Sequence, residues 1–156
     1  KNNSSLKSRY RLMWMDAVYE PGEVKVVAYN KDGKAVAEKT VRTAGKPHHI
    51  ELVSNRNELT ADGKDLAYVT VKVVDKDGNL CPTDSRLIHF SVKGAGKFRA
   101  VANGDPTNLE QFHLPKMHAF HGMLTAIVQA GEIAGDLVLT AKASGVKTGT
   151  VHLQAK

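Results

Sequence analysis

The sequence predicts an all-β chain: an immunoglobulin-like antiparallel β-sandwich preceded by the trailing strands of a second sandwich. Three observations carry this. Apolar residues recur with period two, the signature of strands that bury one face and wet the other. Turn dipeptides, Pro21-Gly22, Asp32-Gly33, Asp62-Gly63, Asp77-Gly78 and Asn103-Gly104, punctuate the runs at short intervals. Helical periodicity is nearly absent, so short strands and tight turns account for the chain.

Residues 10–43 hold about three strands, RLMWM, EVKVVAYN and AVAEKTVR, too few to close a sandwich. In the second of these, Val24, Val26 and Ala28 alternate with Glu23, Lys25 and Val27. The stretch Thr43-Ala44-Gly45-Lys46-Pro47 is short and turn-rich, as a joint between two domains should be. About seven strands follow. Val69, Val71 and Val73 alternate with Tyr68, Thr70 and Lys72; Ile88, Phe90 and Val92 repeat the scheme, as do Leu124, Ala126 and Val128, then Leu137, Leu139 and Ala141, and last Val151 and Leu153. Residues 1–45 are therefore read as the C-terminal strands of a preceding sandwich and 46–156 as a complete one.

Composition narrows the function. With 156 residues and 42% hydrophobic content, the chain buries one good core and part of a second. The formal charge of +6 suggests a nucleic-acid partner until it is divided. Residues 1–45 hold nine Lys/Arg against five Asp/Glu, and the remainder thirteen against eleven. Lys25, Lys72, Lys93 and Lys142 fall singly on alternating strand positions, a solvated face and not a stripe tracking phosphates, so no nucleic-acid partner is expected. Cys81 stands alone, which rules out an internal disulfide and marks a packing residue. No run approaches the roughly 18 apolar residues that span a bilayer, and the opening KNNSSLKSRY has no signal-peptide core. The chain opens without Met and is expected to be a processed product or a piece of something longer.

One stretch is chemically dense. VANGDPTNLEQFHLPKMHAFHG, Val101–Gly122, gathers Asp105, Glu110, His113, His118 and His121. Such a density suits a metal site or an acid/base pair, and Asp105 and Glu110 could approach one another across the loop. Against this, Asn103-Gly104 makes a tight turn, Asp105 bonds its own backbone and Pro106 fixes the exit, which is turn construction. The histidine spacing matches no zinc motif, so no metal and no cofactor are expected. His48 and His49 flank the first strand of the second domain, one ring facing solvent and one packed. Trp14, Tyr19 and Tyr29 raise the question of a sugar platform. Core packing is the expectation for Trp14, and Tyr19, in the YEPGE turn, is the ring expected to be exposed.

Several motifs in order resemble a known family. W-x-D-x-x-Y-E-P-G-E at Trp14 to Glu23, a V-A-Y-x-x-G-K strand and turn, and the exit T-A-G-K-P resemble a sandwich that follows the catalytic barrel in bacterial glycoside hydrolase family 2 enzymes, the β-galactosidase group. L-T-A-D-G-K-D-L-A-Y-V-T-V-K-V-V-D-K-D-G-N-L, then F-S-V-K-G-A-G, N-G-D-P-T-N-L-E-Q-F and A-F-H-G resemble the C-terminal sandwich of the same enzymes. The resemblance covers nearly the whole chain after its first eight residues. It implies that the catalytic glutamates lie on a (β/α)₈ barrel outside this sequence, so no catalytic residue carries over here. What it implies instead is a non-catalytic accessory region of a periplasmic or extracellular bacterial glycosidase. Its partner is then the rest of the parent chain, with a glycan or a second subunit as further partners. Tyr19, Asn103, Asp105 and Glu110 are the candidates for carbohydrate or interface contact. The alternative is an invasin-like surface module of the adhesin type, since A-D-G-x5-V-T-V-x-V-x-D-x-x-G-N also occurs there; such arrays repeat one motif, whereas the two pieces here differ.

Overall fold

The computed structural model describes residues 13–156. The chain divides into two units, the first ending at Thr43 and the second running Ala44–Lys156.

The first unit carries a two-stranded antiparallel sheet, β1 (Glu23–Tyr29) and β2 (Ala35–Arg42). Asn30 builds the turn between them, its Oδ1 accepting the Asp32 and Lys34 N–H groups at 3.0 and 2.9 Å. Lys25 pairs with Glu38 at 2.9 Å and Arg42 with Glu23 at 2.7 Å. The predicted strand RLMWM is not found: Met13–Met15 are irregular, and its first two residues lie outside the described residues. A strand needs a neighbour for its N–H and C=O groups, and among the described residues β1 and β2 pair only with one another. Trp14 is accordingly 48% exposed and not a core residue.

The second unit is an antiparallel sandwich. Its strands are β3 (His49–Ser54), β4 (Glu58–Leu59), β5 (Leu66–Val74), β6 (Leu87–Gly94), β7 (Gly96–Ala102), β8 (Lys116–His118), β9 (Met123–Ala130), β10 (Gly135–Lys142) and β11 (Gly149–Ala155). They form a four-stranded sheet, β3-β5-β9-β7, and a five-stranded sheet, β4-β11-β10-β6-β8, in which only β4 and β11 run parallel. The seven strands of six residues or more match the number expected; β4 and β8 are too short for periodicity to reveal.

The core lies where the period-two pattern puts it. Val69, Val71 and Val73 of β5 and Leu124, Ala126 and Val128 of β9 are buried on one sheet. Ile88 and Phe90 of β6 and Leu137, Leu139 and Ala141 of β10 are buried on the other, and all belong to one cluster. Each large side chain among them gains about 1.5–3 kcal/mol by leaving water. All five glycines of the turn dipeptides have positive φ.

Two features were not foreseen. The chain passes from β6 in one sheet to β7 in the other across Ala95 alone. Gly94 has φ +91°, and a Cβ built on it would lie 2.0 Å from the Asp136 carbonyl oxygen. Asp75, just past the end of β5, is the one charged residue that is buried as a whole among the described residues. Its carboxylate accepts N–H groups from Gly45 at 2.7 Å, Asp77 at 2.9 Å and Asn79 at 2.8 Å, and the Asn79 amide at 3.0 Å. His48 and His49 are both half-buried, with their Nδ1 atoms 3.0 Å apart. The expected division into one packed and one solvent-facing ring does not occur, because the two rings pack edge to face on one another.

Candidate functional site

The segment between β7 and β9 is a loop that bonds to itself. Asn103 opens it: its Oδ1 accepts the Asp105 N–H at 3.1 Å and the Asn108 amide at 3.2 Å. Its own amide donates to the His118 carbonyl at 2.9 Å, joining the start of the loop to the end of β8. Asp105 Oδ1 then accepts the Thr107 N–H at 2.8 Å and the Thr107 hydroxyl at 2.7 Å. These two bonds, with the His121 imidazole adding a weaker pull, hold the Asp105 carboxyl below the usual carboxylate range. A general acid needs a shift in the opposite direction.

Glu110 closes the other side. One of its oxygens accepts the His118 N–H at 3.1 Å and the other meets His118 Nδ1 at 3.0 Å. The backbone ties hold the rest: Val101 donates to Phe112 at 2.8 Å, Phe90 to Pro115 at 2.8 Å, and Gly122 to Asp84 at 2.9 Å. His121 takes a left-handed φ of 51°, rare outside glycine, and its Nδ1 lies 3.3 Å from the Pro82 carbonyl. Met117 of β8 is fully buried and anchors the loop to the core.

The structure therefore brings Asn103, Asp105, Glu110, His118 and His121 into one neighbourhood, and leaves His113 exposed. Their polar atoms are spent mainly on the loop's own N–H and C=O groups. Among the described residues, no three His, Cys, Asp or Glu side chains are grouped to hold a metal ion. Tyr19 belongs to the first unit, where it is 74% exposed and its hydroxyl lies 3.2 Å from Thr43 Oγ1. Cys81 is buried; burial first, then Asp75 and Asp84, push its thiol above the usual value, which keeps it protonated and inert.

What sequence reasoning passed over is the apolar part of this loop. Leu109 is 96% exposed, Phe112 54% and Leu114 36%. The signal was present as three large apolar residues in a non-alternating stretch bounded by Pro106 and Pro115, where no strand face can bury them. Another opening, a concavity of about 480 Å³, lies at the opposite end of the sandwich, lined by Gly63, Gly94, Gly96, Lys97, Glu132 and Ile133.

Comparison with known proteins places this architecture. Residues 50–152 match the family described as glycoside hydrolase family 2 C-terminal domain 5, and residues 1–37 match a domain of unknown function (DUF4982). The chain is 44% identical over 138 residues to the beta-galactosidase BoGH2A of Bacteroides ovatus, which covers 88% of this chain and 16% of that protein. It is 27% identical over 156 residues to a beta-glucuronidase of Formosa agariphila, covering 98% of this chain and 16% of that protein. Among solved structures, a glycosyl hydrolase family 2 member from Bacteroides cellulosilyticus superposes with a TM-score of 0.83 at 31% identity, over 90% of this chain and 18% of that one. A beta-glycosidase from Bacteroides vulgatus gives 0.83 at 27% identity, over 88% of this chain and 18% of that one. The chain thus spans about a sixth of the length of the curated relatives it matches.

Proposed function

Because the chain belongs to glycoside hydrolase family 2, as a C-terminal domain of such enzymes, we propose that it is a non-catalytic accessory region of a β-galactosidase-like glycosidase. The parent cleaves a β-galactoside or β-glucuronide on a barrel located elsewhere in its sequence. This region packs against the rest of the parent chain or a second subunit, and it rims the sugar site without performing the chemistry. The observation that carries this reading is the match of residues 50–152, all of them strand and loop, to a C-terminal domain of the family. The bonding of the Asn103–Gly122 loop adds to it, since Asp105 and Glu110 hold loop backbone in place. Asn103, Asp105 and Glu110 are then scaffold residues of a contact surface, and Tyr19 is the exposed ring available to a sugar or a neighbouring domain. A bacterial, periplasmic or extracellular setting belongs to the same reading. The adhesin-type alternative needs one motif repeated in tandem, and here the two pieces match different families.

An accessory module of this kind should fold without its parent. A shortened chain beginning at Ala44 keeps the Gly45 N–H on Asp75 and is expected to unfold in a single cooperative transition. One beginning at Lys46 loses that bond and is expected to melt lower. In the full chain, amides of β1 and β2 should exchange faster than those of β5 and β9, as befits strands whose own sandwich lies in preceding sequence. If the Ala44 chain fails to fold, or all strands of a monomer are protected alike, residues 46–156 are not a self-standing domain.

A further inference from the structure

We propose that the apolar tip of the β7–β9 loop, Leu109 with Phe112 and Leu114, is a docking surface for the part of the parent glycosidase N-terminal to this chain. This rests on the accessory-region reading above. Single exposed apolar residues are ordinary on protein surfaces. Three within six residues on one loop are not, because each leaves apolar surface in water, Leu109 nearly all of its own, unless something covers it. Nor is the loop free to turn them inward. The bonds of Asn103, Asp105 and Glu110 are made within the segment, and Phe112 and Pro115 are pinned by Val101 and Phe90. A loop built this way holds its side chains in one arrangement, which lowers the ordering cost of binding.

Position names the occupant. The foot of the loop, Gly122, abuts Cys81: a Cβ there would lie 2.3 Å from the Cys81 carbonyl oxygen. The Cys81 thiol lies 3.8 Å from the Gly45 carbonyl, and the Gly45 N–H bonds Asp75. The loop therefore rises from the end of the sandwich at which the chain enters it. This chain matches a C-terminal domain and covers 16–18% of its relatives, so the bulk of a parent of that size precedes Ala44. Leu109 and Leu114 carry no polar atom with which to read a glycan's hydroxyl groups, and this favours a protein surface as the occupant of the tip.

The test compares the full-length parent with this chain alone, using Leu109→Cys and, at the far end of the sandwich, Ile133→Cys, whose parent residue is 80% exposed. Maleimide labelling is read peptide by peptide, which separates buried Cys81. The expected result is Leu109→Cys labelled about tenfold more slowly in the parent, a difference of about 1.4 kcal/mol in exposure, with Ile133→Cys labelled alike in both. Equal labelling of Leu109→Cys in an active parent overturns the docking and leaves the accessory reading intact. Slowing at Ile133→Cys alone also overturns it, as does slow labelling of Leu109→Cys in the isolated chain that grows with concentration, which would make a second copy the occupant. A parent without glycosidase activity removes the reading on which the proposal rests.

Discussion

Gly94→Ala is expected to cost the second unit roughly 3–5 kcal/mol, a large share of the 5–15 kcal/mol that holds an ordinary domain together. The residue sits at the only step between β6 and β7, and its φ of +91° is one that alanine adopts under strain. The methyl group would meet the Asp136 carbonyl oxygen at 2.0 Å and the Leu137 Cα at 3.4 Å, which are backbone atoms of a central strand and cannot swing aside. Gly78→Ala separates the two causes. Its φ is +83° with nothing within 4 Å, so it bears the conformational cost alone, about 1–2 kcal/mol. Thermal or urea unfolding of the two variants checks this. Equal, mild losses would mean that β6 and β7 are not joined as described.

Asp75→Ala is expected to destabilise the same unit severely. Its carboxylate gathers the N–H groups of Gly45, Asp77 and Asn79 and the Asn79 amide, and deleting it removes all four bonds at once from a part-buried junction between the entering chain and the β5 turn. The Gly45 N–H first, then the Asn79 side chain, hold the carboxyl far below its usual 3.8 against the opposing effect of burial. A folded-state value below the unfolded one stabilises the native state above pH 3.8. That contribution shrinks as the pH falls below 3.8 and is gone once it passes the folded-state value. The stability gap between the wild type and Asp75→Asn should therefore be constant from pH 5 to 7 and narrow below the unfolded value. A gap that widens on acidification would show that the carboxylate is not the form bound by these donors.

The sandwich was legible because its alternation survives in the long strands. Val69, Val71 and Val73 are buried while Tyr68, Thr70 and Lys72 are not, and the same holds along β9 and β10. β7 shows no unbroken alternation for a physical reason: it is an edge strand with an irregular register between Phe98 and Ala100. The described part of RLMWM, Met13–Met15, is irregular, because apolar content alone does not make a strand without a neighbour, and among the described residues it has none. At the site, the residues gathered by the loop were read from composition, and turn construction correctly explained Asn103 and Asp105. The Glu110–His118 clasp spans eight positions and depends on β8, which is too short to see in a sequence. Leu109 and Phe112 escaped notice since an apolar residue in a polar loop looks unremarkable until its exposure is known.

On the function proposed above, this chain serves a glycosidase and performs none of its chemistry. Hydrolysis of chromogenic β-galactosides and β-glucuronides, measured on the isolated chain and on its full-length parent, tests it most directly. Turnover is expected from the parent and none above background from the chain. Turnover by the isolated chain, abolished by Asp105→Asn or Glu110→Gln, would show that the loop itself carries a catalytic carboxylate pair.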